Sequence, residues 1–127
     1  MTRVVLDASV VVAAVLKEPG GDRAVGHKQP PMMSAVNYAE VRSRLTDLGL
    51  DAARIDDALA LFDLDVIDFD KAQAGDVAEL RRVTRLHGLS LGDRACLALA
   101  IRKDAEALTA DRVWARIDLP VDVCVVR

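Results

Sequence analysis

The stretch Val4-Val5-Leu6-Asp7-Ala8-Ser9 is a short β-branched and apolar run that ends at an acidic residue. A helical pattern follows from about Ser9 to Lys17, and Glu18-Pro19-Gly20-Gly21 ends that helix. This part of the chain therefore predicts a buried strand that leads, through one acidic residue, directly into a helix.

The same succession of short apolar runs and helical patterns continues along the rest of the chain. Strands are predicted at 32–33, 64–67, 107–109 and 121–125, and helices at 22–25, 34–48, 51–62, 70–86, 94–103 and 111–117, with Ser90 or Gly92 opening the helix at 94–103. No repeat, linker or low-complexity tract interrupts the pattern, so residues 1–127 are predicted to form one domain. Strands that alternate with helices predict an α/β fold with a central, mostly parallel sheet and helices on both faces.

Acidic residues follow two of the predicted strands. Asp7 comes after the first strand, and Asp111 comes after the strand at 107–109. In parallel sheets, ligands bind at the carboxyl ends of the strands, where the connections diverge to opposite faces. We therefore expect Asp7 and Asp111 to lie on the same edge of the sheet.

The composition narrows the class of protein. Apolar residues make up 52% of the chain and aromatic residues 3%, so the core must be aliphatic, and stacking on single-stranded bases lacks the aromatic faces that it needs. Cys96 and Cys124 belong to no CxxC pair and to no cysteine–histidine cluster, which argues against zinc and for two reduced, buried thiols. The sequence shows no signal peptide and no apolar run of ~18 residues, so we expect a soluble cytoplasmic protein.

The net charge of −3 argues at first against a nucleic-acid partner. Setting aside the four acids Asp7, Glu40, Asp93 and Asp111 leaves a small positive balance. An acidic site bordered by arginines is compatible with a phosphate-bearing substrate, although arginines on helix faces are more often simply solvated. The arginines in question are Arg42, Arg44, Arg81, Arg82, Arg85, Arg94 and Arg112.

Each of the four acids has an ordinary structural explanation. Asp7, Asp93 and Asp111 could stabilise the starts of helices, and Glu40 could form a solvated i,i+4 pair with Arg44. Three of the acids, however, are predicted at the ends of buried elements, where an unpaired charge is unfavourable. Two carboxylates ~4 Å apart repel by about 4 kcal/mol at an effective dielectric of about 20, and a divalent cation would turn that repulsion into binding energy. Ligands that are all oxygen, without histidine or cysteine, point to Mg²⁺ or Mn²⁺.

Four segments that contain these acids resemble the four acidic motifs of PIN-domain ribonucleases, and more narrowly those of the VapC toxins of bacterial toxin–antitoxin pairs. The likeness covers essentially the whole chain, in order and at family-like spacing. The segments are Val5-Leu6-Asp7-Ala8-Ser9, Ser34-Ala35-Val36-Asn37-Tyr38-Ala39-Glu40-Val41, Leu89-Ser90-Leu91-Gly92-Asp93-Arg94-Ala95-Cys96-Leu97-Ala98 and Leu108-Thr109-Ala110-Asp111-Arg112.

The resemblance implies a metal-dependent endoribonuclease with a three-layer α/β/α fold. It places the catalytic and metal-binding site at Asp7, Glu40, Asp93 and Asp111. It also implies a VapB-type antitoxin whose C-terminal segment covers the active site, a homodimer, and a structured RNA substrate such as transfer RNA or ribosomal RNA.

In the mechanism that we expect, Asp7, Asp93 and Asp111 bind the metal, and Glu40 is either a further ligand or the group that orients a metal-bound water. The metal lowers the pKa of that water, which attacks the phosphorus in line. It also neutralises the charge that develops in the transition state.

Three neighbouring polar residues are candidates for supporting roles. Ser9 and Thr109 could donate hydrogen bonds to the carboxylates or to the scissile phosphate, but capping and strand-end roles fit them equally well. Asn37 lies one turn before Glu40 and could orient its carboxylate, or it could only satisfy the start of the helix.

Two other classes of protein stay open at this point. A phosphoacceptor receiver domain is similar in length and sheet order, but it needs an acidic pair after the first strand and a lysine after the last. This chain has the single Asp7 and no lysine beyond Lys103. A PIN fold could also serve only as a protein-binding module, although the presence of all four acids argues for catalysis.

Overall fold

A five-stranded sheet forms the centre of the structure, which is a computed structural model that describes residues 3–127. Its strands are β1 (Val4–Leu6), β2 (Met32–Ser34), β3 (Asp65–Ile67), β4 (Glu106–Thr109) and β5 (Val123–Val125). Neighbouring strands are parallel in all four pairs, in the order β3-β2-β1-β4-β5. The predicted α/β class with a parallel central sheet is therefore confirmed.

Five α-helices connect the strands within the described residues. They are α1 (Ala8–Val15), α2 (Ala35–Asp47), α3 (Ala52–Ala60), α4 (Lys71–Thr84) and α5 (Leu91–Lys103). The short helices predicted at 22–25 and 111–117 are 3₁₀ helices, at Gly21–Ala24 and Arg112–Arg116. The last turn predicted for the helix at 70–86 is likewise a separate 3₁₀ turn, at Arg85–His87.

The two faces of the sheet are both apolar and both covered by helices. Successive residues of a strand point to opposite faces. In β1, Val5 packs on the side of α4 and α5, whereas Leu6 packs on the side of α1, α2 and α3; in β4, Ala107 and Leu108 divide in the same way. The continuous apolar strands of the sequence thus serve two cores at once, and the three-layer α/β/α arrangement is confirmed.

The strand order differs from that of a receiver domain, whose sheet runs in the order 2-1-3-4-5. Here β1 is central, with β2 and β3 on one side and β4 and β5 on the other. The expected likeness of sheet order to receivers was therefore wrong. The sheet topology therefore gives no support to the phosphoacceptor alternative.

Helix α5 is buried along most of its length, as predicted, including every residue from Ala95 to Ala100. It begins at Leu91, directly after Ser90, which is one of the two predicted opening residues. The Oγ of Ser90 accepts a hydrogen bond from the backbone N–H of Asp93 at 3.2 Å and caps the helix. Of the helices within residues 3–127, none has the length and apolar character to cross a membrane.

The burial of α5 predicts a sharp contrast between two leucines. Leu97 is 0% exposed in α5, whereas Leu86 is 95% exposed in the preceding 3₁₀ turn. Leu97→Ala should lower the free energy of unfolding by about 2–5 kcal/mol, because it removes buried methyl groups and leaves a cavity. Leu86→Ala should change it by less than about 0.5 kcal/mol. Urea denaturation followed by circular dichroism measures both, and equal effects would mean that α5 is not packed in the core.

Candidate active site

The carboxyl ends of β1 and β4 lie side by side at the point where the order of the strands in the sheet reverses. From β1 the chain continues to β2 and β3 on one side, while β4 and β5 lie on the other side. Connections that leave neighbouring strands toward opposite faces open a crevice at that edge. Asp7 directly follows β1, and Asp111 comes two residues after the end of β4. The topology thus brings these two acids to the same edge, as the sequence predicts.

Asp7 is the most deeply buried of the four acids, with 5% of its surface exposed. It occupies the N-cap position of α1, but its side chain makes no capping hydrogen bond. Instead, Oδ2 accepts hydrogen bonds from Ser9 Oγ at 2.7 Å and from Thr109 Oγ1 at 3.0 Å. Helix capping therefore does not explain this residue, whose carboxylate is turned across the sheet edge toward β4.

The surroundings of Asp7 disfavour its charged form. Burial is the largest effect and raises the pKa of the carboxyl from 3.8 to about 6, with the negative charges of Asp93 and Glu40 adding to the rise. The hydrogen bonds from Ser9 and Thr109 act in the opposite direction. The sheet edge therefore holds a carboxylate that would gain from a nearby positive charge.

The two hydroxyls also fix the turn after β4. Ser9 Oγ accepts a hydrogen bond from the backbone N–H of Ala110 at 3.0 Å, and Thr109 Oγ1 accepts one from the backbone N–H of Asp111 at 3.1 Å. Each hydroxyl thus donates to Asp7 and accepts from the turn that carries Asp111. The two predicted supporting residues join the ends of β1 and β4 into one unit.

Glu40 projects from α2 and lies against the start of α5. Its Oε1 accepts a hydrogen bond from Asn37 Nδ2 at 2.9 Å, and the same Nδ2 donates to the carbonyl oxygen of Gly92 at 2.9 Å. Partial removal from water raises the pKa of Glu40, the charge of Asp93 adds to the rise, and the hydrogen bond from Asn37 opposes it. The ion pairs within residues 3–127 do not include the expected pair of Glu40 with Arg44.

Asp93 and Asp111 both stabilise the start of a helix, as their ordinary explanation predicts. Asp93 Oδ2 accepts a hydrogen bond from the backbone N–H of Ser90 at 2.9 Å, which completes a capping box. Asp111 Oδ1 accepts one from the backbone N–H of Val113 at 3.0 Å, as the N-cap of the last 3₁₀ helix. In each case one carboxylate oxygen is held by the backbone.

The expectation that three of the acids are placed at the ends of buried elements is correct in position but overstates their burial. Asp7 is buried and Asp93 is half-buried, whereas Glu40 and Asp111 are exposed. The reason is that the apolar neighbours face the core while the acids face outward; Val41 is fully buried directly beside the exposed Glu40. Desolvation therefore acts mainly on Asp7.

All four predicted acids line one cavity of about 390 Å³ at this edge of the sheet. The four acids come from the ends of β1 and β4, from α2 and from the first turn of α5. Besides Asp7, Glu40, Asp93 and Asp111, the lining consists of Ala8, Ser9, Val12, Glu18, Arg44 and Arg127.

Most arginines that were expected to border the site point elsewhere. Arg42 pairs with Asp56 at 2.7 Å, and Arg94 Nη1 donates to the carbonyl oxygen of Val77 at 3.1 Å. Of the seven arginines predicted near the acids, Arg44 is the one that lines the cavity within residues 3–127. The sequence pattern identified clusters of arginines but not their directions.

Two charged residues of the cavity, Glu18 and Arg127, were not predicted from the sequence. Arg127 Nη1 lies 3.8 Å from Glu18 Oε1 across the rim. The position of Arg127 just after β5 could have indicated it, because β5 runs parallel to β4 and ends at the same edge of the sheet.

The donors around the cavity fit a hard divalent cation in their chemistry. Hydrogen bonds within residues 3–127 engage one oxygen of each acid: Asp7 Oδ2, Glu40 Oε1, Asp93 Oδ2 and Asp111 Oδ1. The second oxygen of each acid accepts no hydrogen bond from these residues, so each acid can bind Mg²⁺ or Mn²⁺ through that one oxygen.

The same acids do not yet form a closed ligand set. No three acidic, histidine or cysteine side chains of residues 3–127 are arranged around a common point for a metal ion. Carboxylates without a counter-ion repel one another, and a bound cation would draw these acids closer together.

The thiol of Cys96 lies one turn after Asp93 and is fully buried and free. Burial raises the pKa of this thiol well above its usual value, and the charges of Asp7, Asp93 and Glu40 add to the rise. Cys96 is thus an inert core residue, as predicted. Cys124 is also free, but it is half-buried rather than buried.

Comparison with protein-family models gives a match over nearly the whole chain. The matching model is that of the PIN domain, and it covers residues 4–119. This range contains all four acids. No curated protein matches the chain significantly.

Solved structures with the same fold include toxin–antitoxin proteins. VapBC2 of Rickettsia felis, bound to a DNA fragment from its promoter, is similar with a TM-score of 0.72 and 20% identity, over 95% of this chain and 98% of that chain. A toxin–antitoxin complex from Klebsiella pneumoniae has a TM-score of 0.76 and 17% identity, over 98% of both chains. VapC20 of Mycobacterium tuberculosis, a toxin that cleaves the sarcin–ricin loop, has a TM-score of 0.67 and 18% identity, over 82% of this chain and 86% of that chain.

The raised pKa of Asp7 predicts how Asp7→Asn changes stability with pH. A carboxyl whose pKa is about 6 in the folded protein, against 3.8 unfolded, holds its proton more tightly in the fold. The parent therefore loses stability as the pH rises through that window, and asparagine does not. In EDTA at about pH 8, Asp7→Asn should be more stable than the parent by about 1–3 kcal/mol, and the difference should shrink toward zero near about pH 4.

Urea denaturation at both pH values measures the effect. Asp57→Asn, on the exposed side of α3, serves as the control for removing one negative charge and should change little at either pH. An Asp7→Asn variant that is less stable than the parent at the higher pH would mean that the hydrogen bonds to the carboxylate outweigh its burial.

Proposed function

This chain belongs to the PIN-domain family, and we propose that it is a metal-dependent endoribonuclease, the toxin of a VapBC-type toxin–antitoxin pair. The observation that carries the proposal is the cavity at the edge of the sheet. Four carboxylates line it, and each has one oxygen held by a protein donor and the other free. Such a set of hard oxygen donors suits Mg²⁺ or Mn²⁺ and a phosphodiester substrate.

The four acids of the cavity would divide into metal ligands and a group that can orient water. Asp7, Asp93 and Asp111 would hold the cation through their free oxygens, and Glu40 would be a further ligand or would orient the attacking water. A bound divalent cation would supply charge neutralisation at the phosphate and make a water acidic enough to ionise near neutral pH.

The chain's own hydrogen bonds would keep these carboxylates in place. Ser9 and Thr109 fix the plane of the Asp7 carboxylate, and through the turn after β4 they also fix Asp111. A ligand whose second oxygen is already hydrogen-bonded is oriented before it binds, which is the usual arrangement around protein metal sites.

Positive charge on the rim suits a nucleic-acid backbone. Arg44 and Arg127 line the same cavity as the acids. Because an arginine can bind phosphate oxygens through two N–H groups at once, these two side chains would hold phosphates on either side of the scissile bond.

The substrate class and the protein partners are proposed from the solved relatives and from the resemblance of the four acidic motifs to those of VapC toxins. VapC20 cleaves the sarcin–ricin loop, and VapBC2 and the Klebsiella pneumoniae structure are complexes of a toxin with its antitoxin. By analogy, this chain would cut a structured RNA of the ribosomal or transfer RNA class, and a VapB-type antitoxin would cover its cavity. The toxin would act as a homodimer.

A PIN fold that only binds another protein is the second candidate function. The observation in its favour is that no three acids of residues 3–127 already surround one point. A binding module would need neither a metal nor the acids for its activity, so the two functions differ in the response to metal and to substitution of Asp7.

Cleavage of RNA should depend on both the metal and the acids. The purified chain should cut a labelled panel of structured RNAs in Mg²⁺ or Mn²⁺ and should stop in EDTA. Asp7→Asn and Asp93→Asn should each lower the cleavage rate by at least about 100-fold, because each removes a charged ligand. Asp57→Asn, away from the cavity, is the matched control and should cleave like the parent. Cleavage that persists in EDTA, or in both site variants, would exclude a metal nuclease.

Metal binding should also be visible without RNA. Saturating Mg²⁺ should raise the melting temperature of the parent, because a ligand that binds only the folded state stabilises it. The rise should be much smaller for Asp93→Asn, as measured by differential scanning fluorimetry. Equal rises in the two proteins would remove Asp93 from the site.

A further inference from the structure

We propose that Asn37 and Gly92 together position the carboxylate of Glu40 at the active site, with Gly92 providing the space and Asn37 the hydrogen bond. The inference rests on the proposed nuclease function and deepens it, because it assigns a cause to the place of the one acid that projects from the middle of a surface helix. The two positioning residues come from different helices, α2 and α5, and are 55 residues apart in sequence.

The backbone of Gly92 does not require a glycine. Gly92 lies in the first turn of α5 and is not among the glycines with positive φ. Glycine is also an unfavourable residue within a helix relative to alanine. Its presence is explained by what a side chain there would touch: a Cβ at this position would overlap Oε1 of Glu40 and lie 2.5 Å from its Cδ and 2.8 Å from its Oε2. The carboxylate of Glu40 occupies the place that a side chain at position 92 would take.

Asn37 holds the carboxylate in that place. Its side chain is 0% exposed, and Nδ2 donates both to Glu40 Oε1 and to the carbonyl oxygen of Gly92, at 2.9 Å each. Its Oδ1 is buried without a hydrogen-bond partner. The reverse orientation of the amide would direct an oxygen at two oxygens, so the observed orientation is the favourable one. The start of α2 does not need this side chain, because Ser34 caps the helix.

The consequence for Glu40 is a fixed position beside a like charge. Asp93 lines the same cavity and carries a like charge, so repulsion alone would move this long side chain away into solvent. The hydrogen bond from the amide of Asn37 opposes that movement, and the absence of a side chain at Gly92 leaves room for the carboxylate. Holding the side chain in advance lowers the entropy that metal or substrate binding would otherwise have to overcome.

Gly92→Ala tests the positioning of Glu40 separately from the stability of the fold. The added methyl group takes the place of the carboxylate, and Glu40, being exposed, swings into solvent at little expense to the fold. Alanine also favours the helix, so the melting temperature of the metal-free protein should stay the same or rise by up to about 4 °C. The affinity for Mn²⁺, measured by isothermal titration calorimetry, should fall by about 10–100-fold, and RNA cleavage in Mn²⁺ should fall by a similar factor.

A second helical glycine provides the matched control. Gly75 lies in α4, is exposed, and would place a Cβ with nothing within 4 Å. Gly75→Ala should therefore show the same gain or constancy of melting temperature with no loss of Mn²⁺ affinity or of cleavage. A melting temperature that falls by several degrees in Gly92→Ala but not in Gly75→Ala would assign Gly92 a structural role and overturn the proposal.

The decisive experiment repeats Gly92→Ala in a variant that lacks the carboxylate of Glu40. In a Glu40→Ala background, Gly92→Ala should cause no further loss of Mn²⁺ affinity, because its effect acts through Glu40. Asn37→Leu should reduce Mn²⁺ affinity in the parent and likewise have no further effect on affinity in Glu40→Ala. Unchanged affinity together with unchanged cleavage in Gly92→Ala, or an equal loss of affinity with and without Glu40, would overturn the positioning role. A parent that binds Mn²⁺ but cuts no RNA would overturn the nuclease function instead, and the affinities would still decide the positioning.

Discussion

The carboxylate of Asp7 is buried between the ends of β1 and β4, and the local structure follows from how that charge is accommodated. A buried carboxylate needs donors, and Ser9 and Thr109 supply two hydroxyl groups from the elements on either side. Each hydroxyl has a lone pair left over, which binds the backbone of the turn after β4. One charge therefore fixes the junction of two strands, the entry to α1 and the path of the chain toward Asp111.

The fold could be predicted from the sequence because its signals are local and repeated. Apolar runs marked all five strands, and Ser34, Asp51 and Ser90 marked helix starts that the structure confirms with side-chain hydrogen bonds. The order of the strands could not be obtained in this way, since it depends on which apolar face packs on which. Val5 and Leu6 are neighbours in a uniform apolar run, yet they belong to different cores.

The acids of the site could be predicted as residues, but their contacts could not. Asp7 and Asp111 follow strands, so the sheet rule places them at one edge. The position of Glu40 depends instead on Asn37 and on the space above Gly92, a juxtaposition created only when α2 packs beside α5. Arg127 reaches the same rim because β5 pairs with β4, whereas Arg94, beside a predicted ligand, turns away to Val77. Sequence neighbourhood on a helix says little about direction.

The structural and the functional explanations of the acids are not competitors. Asp93 and Asp111 do stabilise helix starts, as the simpler explanation holds, and each uses one oxygen to do so. A carboxylate has two oxygens, and the backbone that binds the first one sets the direction of the second. The capping interaction thus orients the side chain as a hydrogen bond around a metal site would, at no additional conformational cost. Asp7 and Glu40 lack such a cap, and they are the two acids for which side chains, the hydroxyls of Ser9 and Thr109 and the amide of Asn37, provide the hydrogen bond instead.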